Sequence, residues 1–256
     1  MLVRVDPAKG PVIEHKNEKI KLNNKKVKRG CTLVRMRTYG QYCSVAKALD
    51  VLGDRWTLLI VRELLLRGAS RYTDLRAGLP GIATNLLAER LRELERAGVV
   101  EREQAPPPIA TTLFKLTPRG AQLEGVLDAL GRWGVPLMSE PAEGDEFRSH
   151  WLSFPVQLFL GDREPQRPAE VIELRASGAG EPVHVQVGGG EARQLEQRVA
   201  HPDAVLSGTP QLVLGLLSGH LDLAQARGRG LRYAGEPRLL ERARGDGAGA
   251  GEYPAG

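Results

Sequence analysis

The sequence predicts an α+β protein, with an N-terminal winged helix-turn-helix domain followed by an α/β domain. Three observations predict it. A two-faced helical stretch at 82–96 follows a run of short helical patterns, and two extended runs around a proline-rich tip come directly after it. Beyond a Pro-, Glu- and Gly-rich stretch at 139–144, the pattern changes to short apolar strands punctuated by glycine. Helix-turn-helix followed by a β-hairpin is the winged-helix order, and a mixed run of strands and helices calls for a sheet with helices packed on it.

On a 100° wheel, Ile82, Leu87, Leu91 and Leu94 fall on one side of the two-faced stretch. Asn85, Ala88, Glu89, Arg92 and Arg96 fall on the other. One face is built for a core and the other for a partner. Pro80-Gly81 makes the turn before it and Gly98 ends it. The outward face opens with small and polar groups and only then becomes charged, which suits a helix entering a DNA major groove by its N-terminal end. Candidate groove contacts are Thr84, Asn85, Ala88, Glu89 and Arg92. Asparagine can pair bidentately with adenine and arginine with guanine. Arg90, nearer the core edge of the wheel, is a candidate phosphate contact. So is Arg71, for which a surface ion pair is the alternative.

Residues 1–36 carry ten Lys/Arg against three Asp/Glu, and seven of the nine lysines lie at or before Lys28. This reads as an unstructured leader with Met36 opening the regular protein, or else as a basic arm for phosphates. Helical patterns follow at 43–53 and at 54–66, the second closed by Gly68. A third, at 71–77, has Ser70 as its expected N-cap. Extended runs at 99–103 and 111–116 flank Ala105-Pro106-Pro107-Pro108, since prolines cannot donate to a ladder and belong at the turn. Thr117-Pro118 then opens one helix running through Leu127 to Trp133, with Thr as N-cap.

In the second half, strands are expected at 156–160, 171–175, 183–187, 192–195, 203–207 and 231–233, and helices at 210–217, 221–226 and 237–244. Gly188-Gly189-Gly190 reads as a turn, because a strand rather than a phosphate-binding helix follows it. The expected division is a leader at 1–36, a winged helix at 37–138, a linker at 139–149, a second domain at 150–244 and a disordered tail at 245–256.

Residues 37–137 hold fourteen basic and eleven acidic residues, and 138–256 hold twelve and seventeen, so nucleic-acid contact is expected of the middle segment only. No apolar run is long enough to span a bilayer and no secretory signal pattern appears, so a cytoplasmic protein is expected. Cys31 and Cys43 are too few for a disulfide framework and lack metal spacing. The five histidines are dispersed and no nucleophile or metal-hydrolase motif occurs, so neither an enzyme nor a cofactor or metal site is expected. Cys43, at a helix start that lowers a thiol pKa, is a candidate redox sensor, with burial at a dimer seam as the competing role. Trp56 and Trp133 read as core or interface anchors.

Cys43, Gly53-Asp54-Arg55-Trp56-Thr57, Arg71-Tyr72, Leu79-Pro80-Gly81-Ile82, Arg90-Leu91-Arg92-Glu93-Leu94-Glu95, Pro106-Pro107, Phe114-Lys115-Leu116-Thr117 and Trp133-Gly134 occur in an order that resembles the HxlR-type winged-helix regulators, kin of the MarR group. The resemblance spans about 42–138. It implies a homodimer on a palindromic double-stranded DNA operator, joined by the first and last helices of the winged domain, and some such regulators sense oxidants at the cysteine matching Cys43. The wing tip from Gln104 to Ala110 departs from the usual basic kind, with no Lys or Arg. Residues 150–244, through Pro202-Asp203-Ala204, Gly219-His220-Leu221-Asp222-Leu223-Ala224 and Leu231-Arg232-Tyr233-Ala234-Gly235-Glu236, resemble the C-terminal portion of the sterol carrier protein type 2 fold. That resemblance implies an apolar pocket for a small effector. The expected function is a repressor controlled by such a ligand. The alternative is a lipid carrier whose winged helix serves dimerisation.

Overall fold

The computed structural model describes residues 4–6, 10–12, 38–106, 110–138 and 144–245. Within the leader, β1 (Arg4–Asp6) pairs antiparallel with β2 (Gly10–Val12), so these six residues are strands. The rest of the leader, Cys31 included, lies outside the described residues, as do 139–143 of the expected linker and the tail after Gly245.

The winged helix begins with α1 (Ser44–Leu52) and α2 (Thr57–Arg67). Ser70, expected to cap the next helix, instead forms with Arg71 a short strand, β3 (Ser70–Arg71), which pairs with Phe114 and Leu113 of the wing. The cap therefore falls one residue later: α3 (Tyr72–Ala77) starts after Arg71, whose N–H donates to the Asp74 carboxylate at 3.3 Å. The two-faced stretch is α4 (Thr84–Arg96). Gly98 takes a left-handed φ of +69° behind it, while Val99 N–H returns to the Leu94 carbonyl.

β4 (Val100–Gln104) and β5 (Thr112–Leu116) make the wing, Val100 opposite Leu116. The single helix expected from 117 is two: α5 (Pro118–Ala121) and α6 (Glu124–Gly134). The first turn is tied back onto the end of α4, with Thr117 donating from N to Val99 O and from Oγ1 to Gly98 O. The chain has to break at Gln122–Leu123 before α6 can run across the domain. Ile60, Val61, Leu75, Leu87, Leu91 and Leu94 form the core of this half.

In the second half, 3-10 turns at Val135–Met138 and Ser149–Leu152 lead to α7 (Ser153–Phe159). The expected strand at 156–160 is thus a helix. Its apolar run is compatible with either period, and Leu152, Val156 and Phe159 are buried together at helical spacing. β6 (Glu170–Ala176), β7 (Val183–Gly188), β8 (Glu191–Leu195) and β9 (Ala204–Gly208) follow, then α8 (Pro210–Leu217), α9 (Leu223–Gly228), β10 (Arg232–Ala234) and α10 (Pro237–Ala243). The strands order as β10-β9-β6-β7-β8, antiparallel except for the parallel β6–β9 pair. Gly189 and Gly190, both at positive φ, close the β7–β8 hairpin. Ile172, Leu174, Val185 and Leu206 line one sheet face and meet Val213 of α8 and Leu239 of α10 in one core.

Candidate nucleic-acid interface

Leu87, Leu91 and Leu94 anchor α4, each at most 1% exposed. This turns Thr84, Asn85 and Arg92 fully outward and leaves Ala88 and Glu89 half-buried at the edge of the same face. The helix start is held from below, because the Tyr72 hydroxyl donates to the Thr84 carbonyl and so joins α3 to the first turn of α4. Trp56 supports the same turn, its Cη2 standing 3.8 Å from where a Cβ on Gly81 would lie. A rigid helix presenting its N-terminal polar residues is the geometry that base-edge contact needs.

Arg90, expected to be available to a phosphate, is bound instead to Asp54 and to Glu93. A phosphate would have to displace both carboxylates, so the residue braces α4 against the approach to α2. Arg71 is exposed and, with Arg55, Arg76, Arg92 and Arg96, forms no ion pair among the described residues. The wing is the opposite case. Lys115 sits between Glu103 at 2.6 Å and Glu101 at 3.4 Å, and the hydrogen bonds to those two carboxylates, Glu103 first, hold its pKa above the ordinary value. Arg102 pairs with Glu95 at 3.0 Å and lies over the Phe114 ring. The cations of the wing strands are thus neutralised on the spot.

On α6, Val126, Leu130 and Trp133 form an exposed stripe at helical spacing, continued by Leu137 and Met138. Trp133 is 61% exposed, whereas Trp56 packs on the core. Val45 and Leu49 on α1, and Tyr42 just before it, are likewise exposed. Cys43 precedes α1 and is exposed, and the backbone N–H groups of Ala46 and Val45 hold its thiol pKa below the ordinary value.

In the second half, a cavity of about 340 Å³ opens between α8, α9 and α10, lined by Leu216, Leu217, Leu223, Pro237 and Leu240, with Glu241 and Arg244 among its polar groups. Asp203 is structural, its carboxylate accepting from Val171 N–H at 2.7 Å where β6 meets β9. Among the described residues no group of three His, Cys, Asp or Glu is placed to hold a metal, and no helix is long and apolar enough to cross a membrane.

Two groups escaped sequence reasoning. Tyr72 was marked only as half of the Arg71-Tyr72 pair in the family resemblance, with no role assigned to it. Glu63, buried in α2, was signalled by an acid inside the apolar run 57–66 with Arg62 and Arg67 beside it.

The profile of the HxlR-like helix-turn-helix family matches residues 51–141. From Bacillus subtilis (strain 168), the uncharacterized HTH-type transcriptional regulator YvaP is 39% identical over 89 residues, 35% of this chain and 82% of that protein. The uncharacterized HTH-type transcriptional regulator YtcD is 37% identical over 95 residues, covering 36% and 72%, and the HTH-type transcriptional regulator YodB is 35% identical over 86, covering 34% and 76%. The solved reduced form of YodB aligns at 31% identity over 41% of this chain and 100% of that one, with a TM-score of 0.33, too low to carry a structural argument. The matched span runs from the end of α1 through α6 and includes α4, and the chain belongs to the HxlR-like helix-turn-helix family, as a DNA-binding transcriptional regulator.

Proposed function

We propose that the chain is a homodimeric repressor that inserts α4 of each protomer into successive major grooves of a palindromic operator. Thr84, Asn85, Ala88, Glu89 and Arg92 face the bases, and Arg71 holds a phosphate. The observation that carries this reading is the outward polar start of α4, locked in place by the Tyr72–Thr84 hydrogen bond. The uncovered apolar faces of α1 and α6 support the dimer, since a soluble monomer seldom leaves such stripes in water. The paired wing cations and the uncharged described residues of the tip support recognition by the helix with little help from the minor groove.

The second domain takes a sterol-carrier-like role in this reading, with the cavity between α8, α9 and α10 as the seat of a small apolar effector. Its volume and leucine lining suit such a ligand. The ligand acts by preferring one spacing of the two recognition helices over the other. Cys43 adds a second input: its exposure and lowered pKa favour the thiolate that oxidants attack.

A gel shift on the chain's own upstream DNA at several salt concentrations tests the whole. Specific retention is expected, and its absence leaves the carrier reading standing. Arg92→Ala should cost about 1–3 kcal/mol on the specific duplex; an equal loss on random duplex would make Arg92 a phosphate contact. Cys43→Ser should abolish oxidant-induced release. If it releases DNA like the wild type, the cysteine is not the sensor.

A further inference from the structure

Glu63 of α2 is 0% exposed, and four donors close on its two carboxylate oxygens. Oε1 accepts from Arg62 Nη2 at 2.9 Å and Trp151 Nε1 at 2.8 Å. Oε2 accepts from Arg67 Nε at 3.2 Å and His150 Nε2 at 2.8 Å. Arg67 Nη2 also lies 3.2 Å from His150 Nδ1 and 3.4 Å from its Nε2, and the Arg62 guanidinium lies 4.4 Å from the Trp151 ring centre. A carboxylate has about four acceptor positions, so this one is full. Two of its donors belong to the winged helix and two to the 3-10 turn that leads into α7. Burial pushes the carboxyl pKa up, but the His150 hydrogen bond and the Arg62 charge outweigh it and hold the group ionised.

The same carboxylate lies against the turn before the recognition helix. A Cβ on Gly78 would stand 2.0 Å from Glu63 Oε2, so any larger residue there would push the carboxylate off its donors. On its other side, the segment from Ser149 to Phe159 grips α6. A Cβ on Gly131 would stand 2.3 Å from Phe154 Cε1, and Phe154 packs into the winged-helix core. One eleven-residue segment therefore touches the support of the recognition turn and the helix whose opposite side carries the apolar stripe.

We propose that Ser149–Phe159 is the transmission element of the protein, with Glu63 as its joint: a shift of this segment by the second domain moves the α3–α4 turn and α6 together. This rests on the regulator reading above and names its route of control. A buried carboxylate cannot shed two of four donors and stay where it is, so movement of the segment must be matched by movement of Glu63 and of the turn it touches.

The test is amide hydrogen exchange on the full chain, read at residues 79–87. Leu206→Ala opens a cavity in the core of the second domain and should speed exchange at residues 79–87 about tenfold. In the Trp151→Phe and His150→Ala backgrounds, each of which removes one donor and is first checked for a retained fold by circular dichroism, Leu206→Ala should lose that effect. Equal acceleration with and without the joint, or none in the wild-type background, overturns the proposal. A gel shift on the same proteins separates the two ideas: coupled exchange with no specific DNA retention sinks the regulator reading and leaves the mechanical link standing.

Discussion

The winged helix and the second domain solve the same burial problem differently. Every large hydrophobic residue that stays exposed among the described residues, from Tyr39 to Met138, lies in the first region, and none lies between 144 and 245. The second domain gathers both strands and helices into one core, with Phe154 of α7 packed on the winged-helix core instead. The winged helix has a complete core as well, yet it leaves α1 and α6 with bare apolar faces. Apolar surface left bare therefore belongs to the first region among the described residues.

The largest effect that can break this contrast is a cavity. Leu206 is 0% exposed at the centre of the sheet, so Leu206→Ala should cost about 2–5 kcal/mol in denaturant unfolding. Leu130→Ala, on the bare face of α6, should cost the monomer under about 0.5 kcal/mol. Similar costs at both positions would mean that α6 is covered within its own chain. Next in size is assembly itself. Trp133→Glu should leave each protomer folded but monomeric by sedimentation, and weaken operator retention about a hundredfold as two linked half-site contacts become one. A dimer that persists in this variant would place the interface elsewhere.

Which parts were legible follows from how local their causes are. The face of α4 could be read because its leucines recur at helical spacing and Gly98 ends it, both short-range signals. α8 has its expected bounds, but α9 starts two residues later than expected because Asp222, taken as helical, is its cap and accepts from Gln225 N–H at 2.7 Å. Ser70 misled because its strand partner, Phe114, is 44 positions away, and no local rule says that a capping residue will be taken by a wing. α7 misled because four apolar residues in five, broken only by Gln157, carry no period of their own. Arg90 looked available since wheel geometry omits Asp54, which approaches it from outside the helix. Glu63 was legible only as an oddity, an acid among leucines, because two of its four donors lie in the second half of the sequence.

The smallest of these effects sharpens the contrast through two buried acids. Glu63 links the two regions, whereas Asp162 serves the second alone. It accepts from Arg242 Nε at 2.7 Å and Nη2 at 3.1 Å, with both side chains fully buried, and it holds the N–H of Gly190 at the β7–β8 turn. The hydrogen bonds from Arg242 are the main reason its pKa falls from the ordinary 3.8 to about 2. A carboxyl depressed by folding adds stability that is complete above its unfolded pKa and is lost as pH falls through the folded one. About 2 kcal/mol should therefore disappear from the second domain as the pH drops from above 3.8 toward about 2. Followed by acid unfolding, Asp162→Asn should flatten that limb for probes in the second domain and leave probes on α4 unchanged, since every partner of Asp162 lies in its own half. If α4 responds equally to Asp162→Asn, the two regions unfold as a single body, and the contrast between them does not describe how this protein comes apart.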